Sequence, residues 1–69
     1  MNCKKLIELA CGRSGDLKAF AADAGINYNT FYRYTRSDDR LDNMPISNFI
    51  KCAHALGVSA DELFDILDC

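Results

Sequence analysis

The sequence predicts an all-α fold, a compact set of five short helices forming one domain over residues 1–69. Three observations carry that expectation. Apolar residues recur at i, i+3, i+4 and i+7 in successive stretches, the pattern of a helix with one buried face. Glycines, or polar residues able to cap a helix, separate these stretches. No stretch alternates polar and apolar residues at the period of a strand, and neither an internal repeat nor a low-complexity linker interrupts the chain.

Cys3, Leu6, Ile7 and Ala10 form the first stripe, which predicts a helix from Asn2 or Cys3 to Cys11, broken by Gly12-Arg13-Ser14-Gly15. Asp16 stands at the N-cap of a second helix, where its carboxylate also suits the positive end of the helix dipole. That helix buries Leu17, Phe20, Ala21 and Ala24 and ends before Gly25, a position where positive φ is cheapest without a Cβ. Apolar Ile26 folds the turn back onto the core, and Asn27 caps a third helix whose inner residues are Phe31 and Tyr34 and which ends near Thr35 or Arg36. Residues 37–44, SDDRLDNM, are expected to form a loop, with only Leu41 dipping inward. Pro45 suits the first turn of the next helix, with Asn43 or Met44 as cap. Ile46, Phe49, Ile50 and Ala53 are its expected inner face, Leu56 closes it and Gly57 terminates it. Ser59 and Glu62 make a capping-box pattern ahead of Ala60, Leu63, Phe64 and Leu67, with Asp61, Asp65 and Asp68 on the other face.

A chain of 69 residues holds one domain, and one this small buries only about 60% of the surface its unfolded chain exposes, so its stability margin is narrow. No apolar run approaches the roughly 20 residues needed to cross a bilayer. Met1-Asn2-Cys3-Lys4-Lys5 leads into a charged amphipathic segment instead of a signal peptide, and a cytoplasmic location is expected. In that setting Cys3, Cys11, Cys52 and Cys69 read as reduced thiols, Cys69 being the one placed to react. No CxxC pair occurs, and Cys52 and His54 lie about 200° apart on one helix, so no metal site is expected. His54 is the only histidine and has no nucleophile, carboxylate pair or phosphate-cradling glycine loop beside it. No enzyme activity, cofactor or small-molecule ligand is expected. The net charge is −2, unevenly spread: residues 1–36 carry six basic and three acidic side chains, net +3, and residues 37–69 carry two and seven, net −5.

The third helix turns Tyr28, Asn29, Tyr32, Arg33 and Arg36 outward, and nearly all of these side chains donate or accept hydrogen bonds. Ala21 at the helix crossing, Gly25 four residues later, and apolar Phe20, Ala24, Ile26, Phe31 and Tyr34 make LKAFAADAGINYNTFYRYTR, residues 17–36, resemble the helix-turn-helix of the lambda-repressor and Cro type. ISNFIKCAHALGVSADELFDIL, residues 46–67, resembles the two closing helices of that family, including the Leu-Gly-Val-Ser junction. The matched parts cover about two-thirds of the chain.

The resemblance implies a five-helix lambda-repressor-like domain and a sequence-specific DNA-binding transcriptional regulator, a repressor, placing helix 27–36 in the major groove. The residues expected to read bases are Asn27, Tyr28, Asn29, Thr30, Tyr32 and Arg33, with Arg33 able to bond guanine bidentately, Asn29 adenine, and the tyrosine rings thymine methyls. Arg13, Lys18 and Arg36 are expected to anchor phosphates, helped by backbone N–H groups at the two motif-helix N-termini. The chain departs from the family at Leu17, where relatives often carry a phosphate-supporting glutamine. It departs again at Asp38 and Asp39, which repel phosphate unless their segment bends away or Arg40 neutralises them. One short helix binds weakly, so a homodimer on double-stranded DNA is expected, joined through the apolar C-terminal helix at Leu63, Phe64, Ile66 and Leu67. The alternative is a non-enzymatic protein-protein adaptor on a degenerate helix-turn-helix scaffold. Tyrosine- and arginine-bearing faces also dominate protein interfaces, and only phosphate binding weakens steeply with salt.

Overall fold

Five of the six helices begin on a side chain that caps their first turn. The computed structural model describes residues 1–68 and is all-helical over them: α1 Cys3–Ser14, α2 Leu17–Ala24, α3 Tyr28–Tyr34, α4 Asp38–Asp42, α5 Ile46–Leu56 and α6 Ala60–Leu67. The expectation of a reactive Cys69 lies outside the described residues. Asn2, Asp16, Asn27, Ser37 and Ser59 each accept a backbone N–H of the turn they open, and Ser59 with Glu62 completes a reciprocal capping box. The α2–α3 turn is closed by Gly25, at φ 75° and ψ 30°. Its N–H donates to the Ala22 carbonyl at 3.2 Å, and the Ile26 N–H reaches back to the Ala21 carbonyl at 2.9 Å. These two bonds are the Schellman arrangement that satisfies the last carbonyls of a helix. Gly57 ends α5 in the same way, with Gly57 and Val58 donating to His54 and Ala53.

Four expectations need correction. There are six helices among the described residues, not five, because residues 38–42 of the expected loop are helical. Ser37 Oγ accepts the Arg40 N–H at 3.1 Å, Asp38 and Asp39 occupy the favourable first turn, and Leu41 is driven wholly into the core. α1 runs through Gly12 and Arg13 to Ser14, and Gly15, at φ 97°, is the residue that stops it. In α5, Pro45 is itself the N-cap, in place of Asn43 or Met44, and the buried residues are Phe49, Cys52 and Ala53. Ile46 and Ile50, expected inside, are 69% and 41% exposed. The sets 46/49/50/53 and 49/52/53/56 both satisfy helical spacing, and the fold uses the second, with Leu56 partly buried against the core.

The core gathers one or more residues from every helix: Leu6 and Ala10 of α1, Phe20 and Ala21 of α2, Phe31 of α3, Leu41 of α4, Phe49, Cys52 and Ala53 of α5, and Leu63 and Leu67 of α6. At its centre the Phe20 and Phe31 rings pack 5.3 Å apart with a 42° tilt, within the preferred range for aromatic pairs. α2 packs on α1, α3 and α5, and α6 on α1 and α5, while α4 extends the layer from α3. Polar ties close the periphery: the Asn2 N–H donates to the Leu67 carbonyl, Ser14 Oγ to Asp23 Oδ2, and Asn48 Nδ2 to Tyr34 Oη at 3.1 Å. No helix among the described residues is long and apolar enough to cross a membrane.

The glycines give a paired test. A Cβ built on Gly25 meets nothing within 4 Å, so Gly25→Val is strained by backbone conformation and not by a clash. It is expected to cost at least ~1 kcal/mol. Gly12 lies inside α1 with equally open space, and Gly12→Ala is expected to add about 0.5–1 kcal/mol of stability. Thermal unfolding reads both, at about 4–8 °C per kcal/mol in a domain of this size. A Gly25→Val protein that melts at the wild-type temperature contradicts the assigned turn.

Candidate functional site

α3 is seven residues long, and only Phe31 is fully buried along it. At 100° per residue, positions 28, 32 and 36 form one ridge, and 29 and 33 form the ridge beside it. Tyr28 and Tyr32 are 38% and 39% exposed, and Asn29, Arg33 and Arg36 are exposed beside them. The Tyr28 and Tyr32 rings lie 5.9 Å apart. Arg36 continues the ladder, its guanidinium carbon 5.4 Å from the Tyr32 ring centroid and its Nη1 donating to Tyr32 Oη at 3.1 Å. Cation–π and hydrogen-bonding contacts thus hold a long side chain in one orientation.

The other candidates divide by position. Asn27 uses its side-chain oxygen to cap α3, accepting from the Asn29 and Thr30 N–H groups at 2.9 and 3.4 Å, and Thr30 is half-buried. Asp16 likewise places a carboxylate on the Ala19 N–H at the start of α2, 2.7 Å away. The N-terminus of each motif helix therefore already holds an acceptor, and cationic side chains are left as the better phosphate anchors. Arg13, in the last turn of α1, and Lys18, in the first turn of α2, are exposed. Neither lines the concavity of about 460 Å³ that Tyr32, Arg33, Arg36, Ser37 and Arg40 form at the α3–α4 corner. A loop reading of residues 37–44 leaves Arg40 out of the site, and the helix at 38–42 brings it in. The signal that locates it is Ser37 followed by two aspartates, an N-cap and an acidic first turn.

Of the two acidic groups that follow α3, Asp38 is turned to another use, while Asp39 stays exposed in the first turn of α4. Asp38 Oδ1 accepts the Cys3 N–H at 2.9 Å, binding α4 to the start of α1. Hydrogen bonds from the Cys3 backbone and thiol hold the Asp38 carboxyl below its ordinary value of 3.8, and the same carboxylate raises the Cys3 thiol. Burial pushes the Cys52 thiol up to about 12. The acidic helix α6 packs on α1 and α5, whereas α3 packs chiefly on α2 and α4. His54 is exposed on α5, and no group of three His, Cys, Asp or Glu among the described residues is arranged to hold a metal. Compared with known family models, curated proteins and solved structures, the chain matches none.

A carboxyl whose folded value is lowered stabilises the fold fully above its unfolded value and loses that contribution as pH falls through the folded one. Asp38→Asn is expected to melt below the wild type at neutral pH, with the gap closing as pH drops below about 3.8. A gap unchanged down to full protonation would show that the Asp38 charge contributes nothing.

Proposed function

We propose that the chain is a sequence-specific DNA-binding transcriptional regulator, a cytoplasmic repressor of the lambda-repressor/Cro type, that lays α3 in the major groove. The observation that carries this reading is the α2–Gly25–α3 unit, whose second helix is anchored by buried Phe31 and presents Tyr28, Asn29, Tyr32, Arg33 and Arg36 on its free side. A seven-residue helix is about 10 Å long, suited to inserting its exposed ridge into a groove about 12 Å wide. Arg33 is assigned to guanine and Asn29 to adenine, the tyrosines to thymine methyls, with Asn27 and Thr30 at the rim. Arg36, Lys18 and Arg13 set register on phosphates.

A homodimer places two such helices about 34 Å apart on a palindromic site. Leu63 and Leu67 are committed to the core, so the proposed contact runs through half-exposed Phe64. A protein-binding adaptor draws on a different observation, the exposed Ile46 and Ile50 of α5.

Selection from a random duplex pool, followed by affinity measured against salt, decides between them. The DNA reading expects one enriched sequence and a steep linear fall of log affinity with log salt. It also expects Arg33→Ala to cost about 1–3 kcal/mol of specific binding with melting unchanged. No enrichment, or affinity indifferent to salt, favours the adaptor. Sedimentation of Phe64→Glu is expected to give the monomer where the wild type associates on DNA, and a wild type that remains monomeric on its enriched site removes the dimer.

A further inference from the structure

We propose that the α3–α4 corner is a phosphate-binding pocket in which Arg40 supplies the third guanidinium. Its ligand class is a phosphate-bearing anion of more than one charge. Arg33 comes from the end of α3, Arg36 from the turn after it and Arg40 from α4, and together with Tyr32 and Ser37 they line a concavity of about 460 Å³ with no carboxylate in its lining. That volume falls in the range of ligand clefts, roughly 300–1,000 Å³, and exceeds what a single phosphate group fills. No ion pair to a described carboxylate neutralises any of the three. Three like charges at one concavity repel one another, and an anion bound among them relieves that repulsion.

The pocket is partly organised before any ligand arrives. Arg36 is held against Tyr32 by its hydrogen bond and by its position over the ring. Arg40 rides on a helix whose start is fixed by Ser37 Oγ and whose roll is fixed by fully buried Leu41. Asp38, the nearest acid in sequence to Ser37, is occupied at the Cys3 N–H. Guanidinium forks match phosphate oxygens in pairs, which a set of lysines cannot do. The phosphate can belong to a duplex backbone, in which case the pocket deepens the DNA-binding reading and rests on it. It can instead belong to a free oligophosphate such as a nucleoside triphosphate, in which case it does not.

Two probes separate these sources: inorganic tripolyphosphate by calorimetry, and a random-sequence duplex by fluorescence anisotropy against salt. Both are applied to the full chain as wild type, Arg40→Gln, Arg40→Lys and the distant control Lys51→Gln, with melting curves checking the fold. Arg40→Gln is expected to weaken tripolyphosphate roughly tenfold, the loss of charge-assisted hydrogen bonds, and to lower the duplex salt slope by about one. Arg40→Lys should retain the slope but lose part of the tripolyphosphate affinity, and Lys51→Gln should match the wild type. Arg40-dependent tripolyphosphate binding without duplex binding upholds the pocket as a free-anion site and defeats the DNA reading. An Arg40-dependent duplex slope without tripolyphosphate binding upholds it as a backbone anchor. Duplex binding that ignores Arg40, with no tripolyphosphate binding, overturns the pocket and leaves the DNA reading standing. Neither probe binding overturns the pocket and the DNA reading together.

Discussion

The packing of Phe20 on Phe31 across the Gly25 turn is the contact from which the rest of the molecule takes its geometry. Both rings are fully buried. They meet where the chain reverses at Gly25, which adopts a left-handed conformation, with Ala21 buried in the same core. An aromatic pair of this kind adds about 0.5–1.5 kcal/mol beyond its buried area, a sizeable fraction of what a domain this short has to spare. With Phe31 fixed inward, the roll of α3 is fixed, and residues 28, 29, 32, 33 and 36 must lie on the free side. The exposed face is thus a consequence of the core and needs no separate device to hold it.

Polar ties do for the edges what the phenylalanines do for the centre. The Asn2 N–H bonds the Leu67 carbonyl, joining the two ends of the described fold. Asn48 donates to Tyr34 Oη, so the half-buried phenol keeps a partner while its ring lies against the core. Asp38 accepts from Cys3, which ties the start of α4 to the start of α1. No buried side-chain nitrogen or oxygen among the described residues lacks a hydrogen-bond partner. A small domain with a narrow stability margin tolerates few such lapses, since each costs about 1–3 kcal/mol.

The parts of the fold that were legible in the sequence are those where two local signals agree. At α2, the stripe of Phe20 and Ala21, the Asp16 cap and Gly25 all indicate the same boundaries, and the structure has them. At α6, the Ser59–Glu62 pair and the buried Leu63 and Leu67 agree likewise. Where signals conflict, the expectation failed. Gly12 suggests a break, but one glycine costs a helix only about 1 kcal/mol, and Gly15 offers the better stop. α4 contains a single apolar residue, too few to show a period, so its aspartates read as turn formers when they are a helix's first turn. The α5 stripe is wide enough to admit two inner faces, and only the positions of neighbouring helices choose between them. The same limit applies to the candidate site. Exposure of Tyr28, Asn29, Tyr32 and Arg33 follows from helix period, whereas the meeting of Arg36 and Arg40 depends on the turn between two helices, one of which the sequence did not reveal.

An overall charge of −2 does not decide what the α3 face can attract. The described body measures 24 × 22 × 21 Å, and charges in physiological salt are screened over about 8 Å, so the molecule is two to three screening lengths wide. The potential at the face is then set by the charges close to it, where Arg33, Arg36 and Arg40 share a concavity with no carboxylate in its lining. The aspartates of α6 sit on a helix packed against α1 and α5 and act mainly at longer range. For a module that meets a polyanion, such segregation lowers general attraction while leaving a dipole that turns the arginine face forward. The uneven charge therefore favours orientation over indiscriminate binding, and the acidity of the whole chain and the basicity of one corner belong to the same physical arrangement.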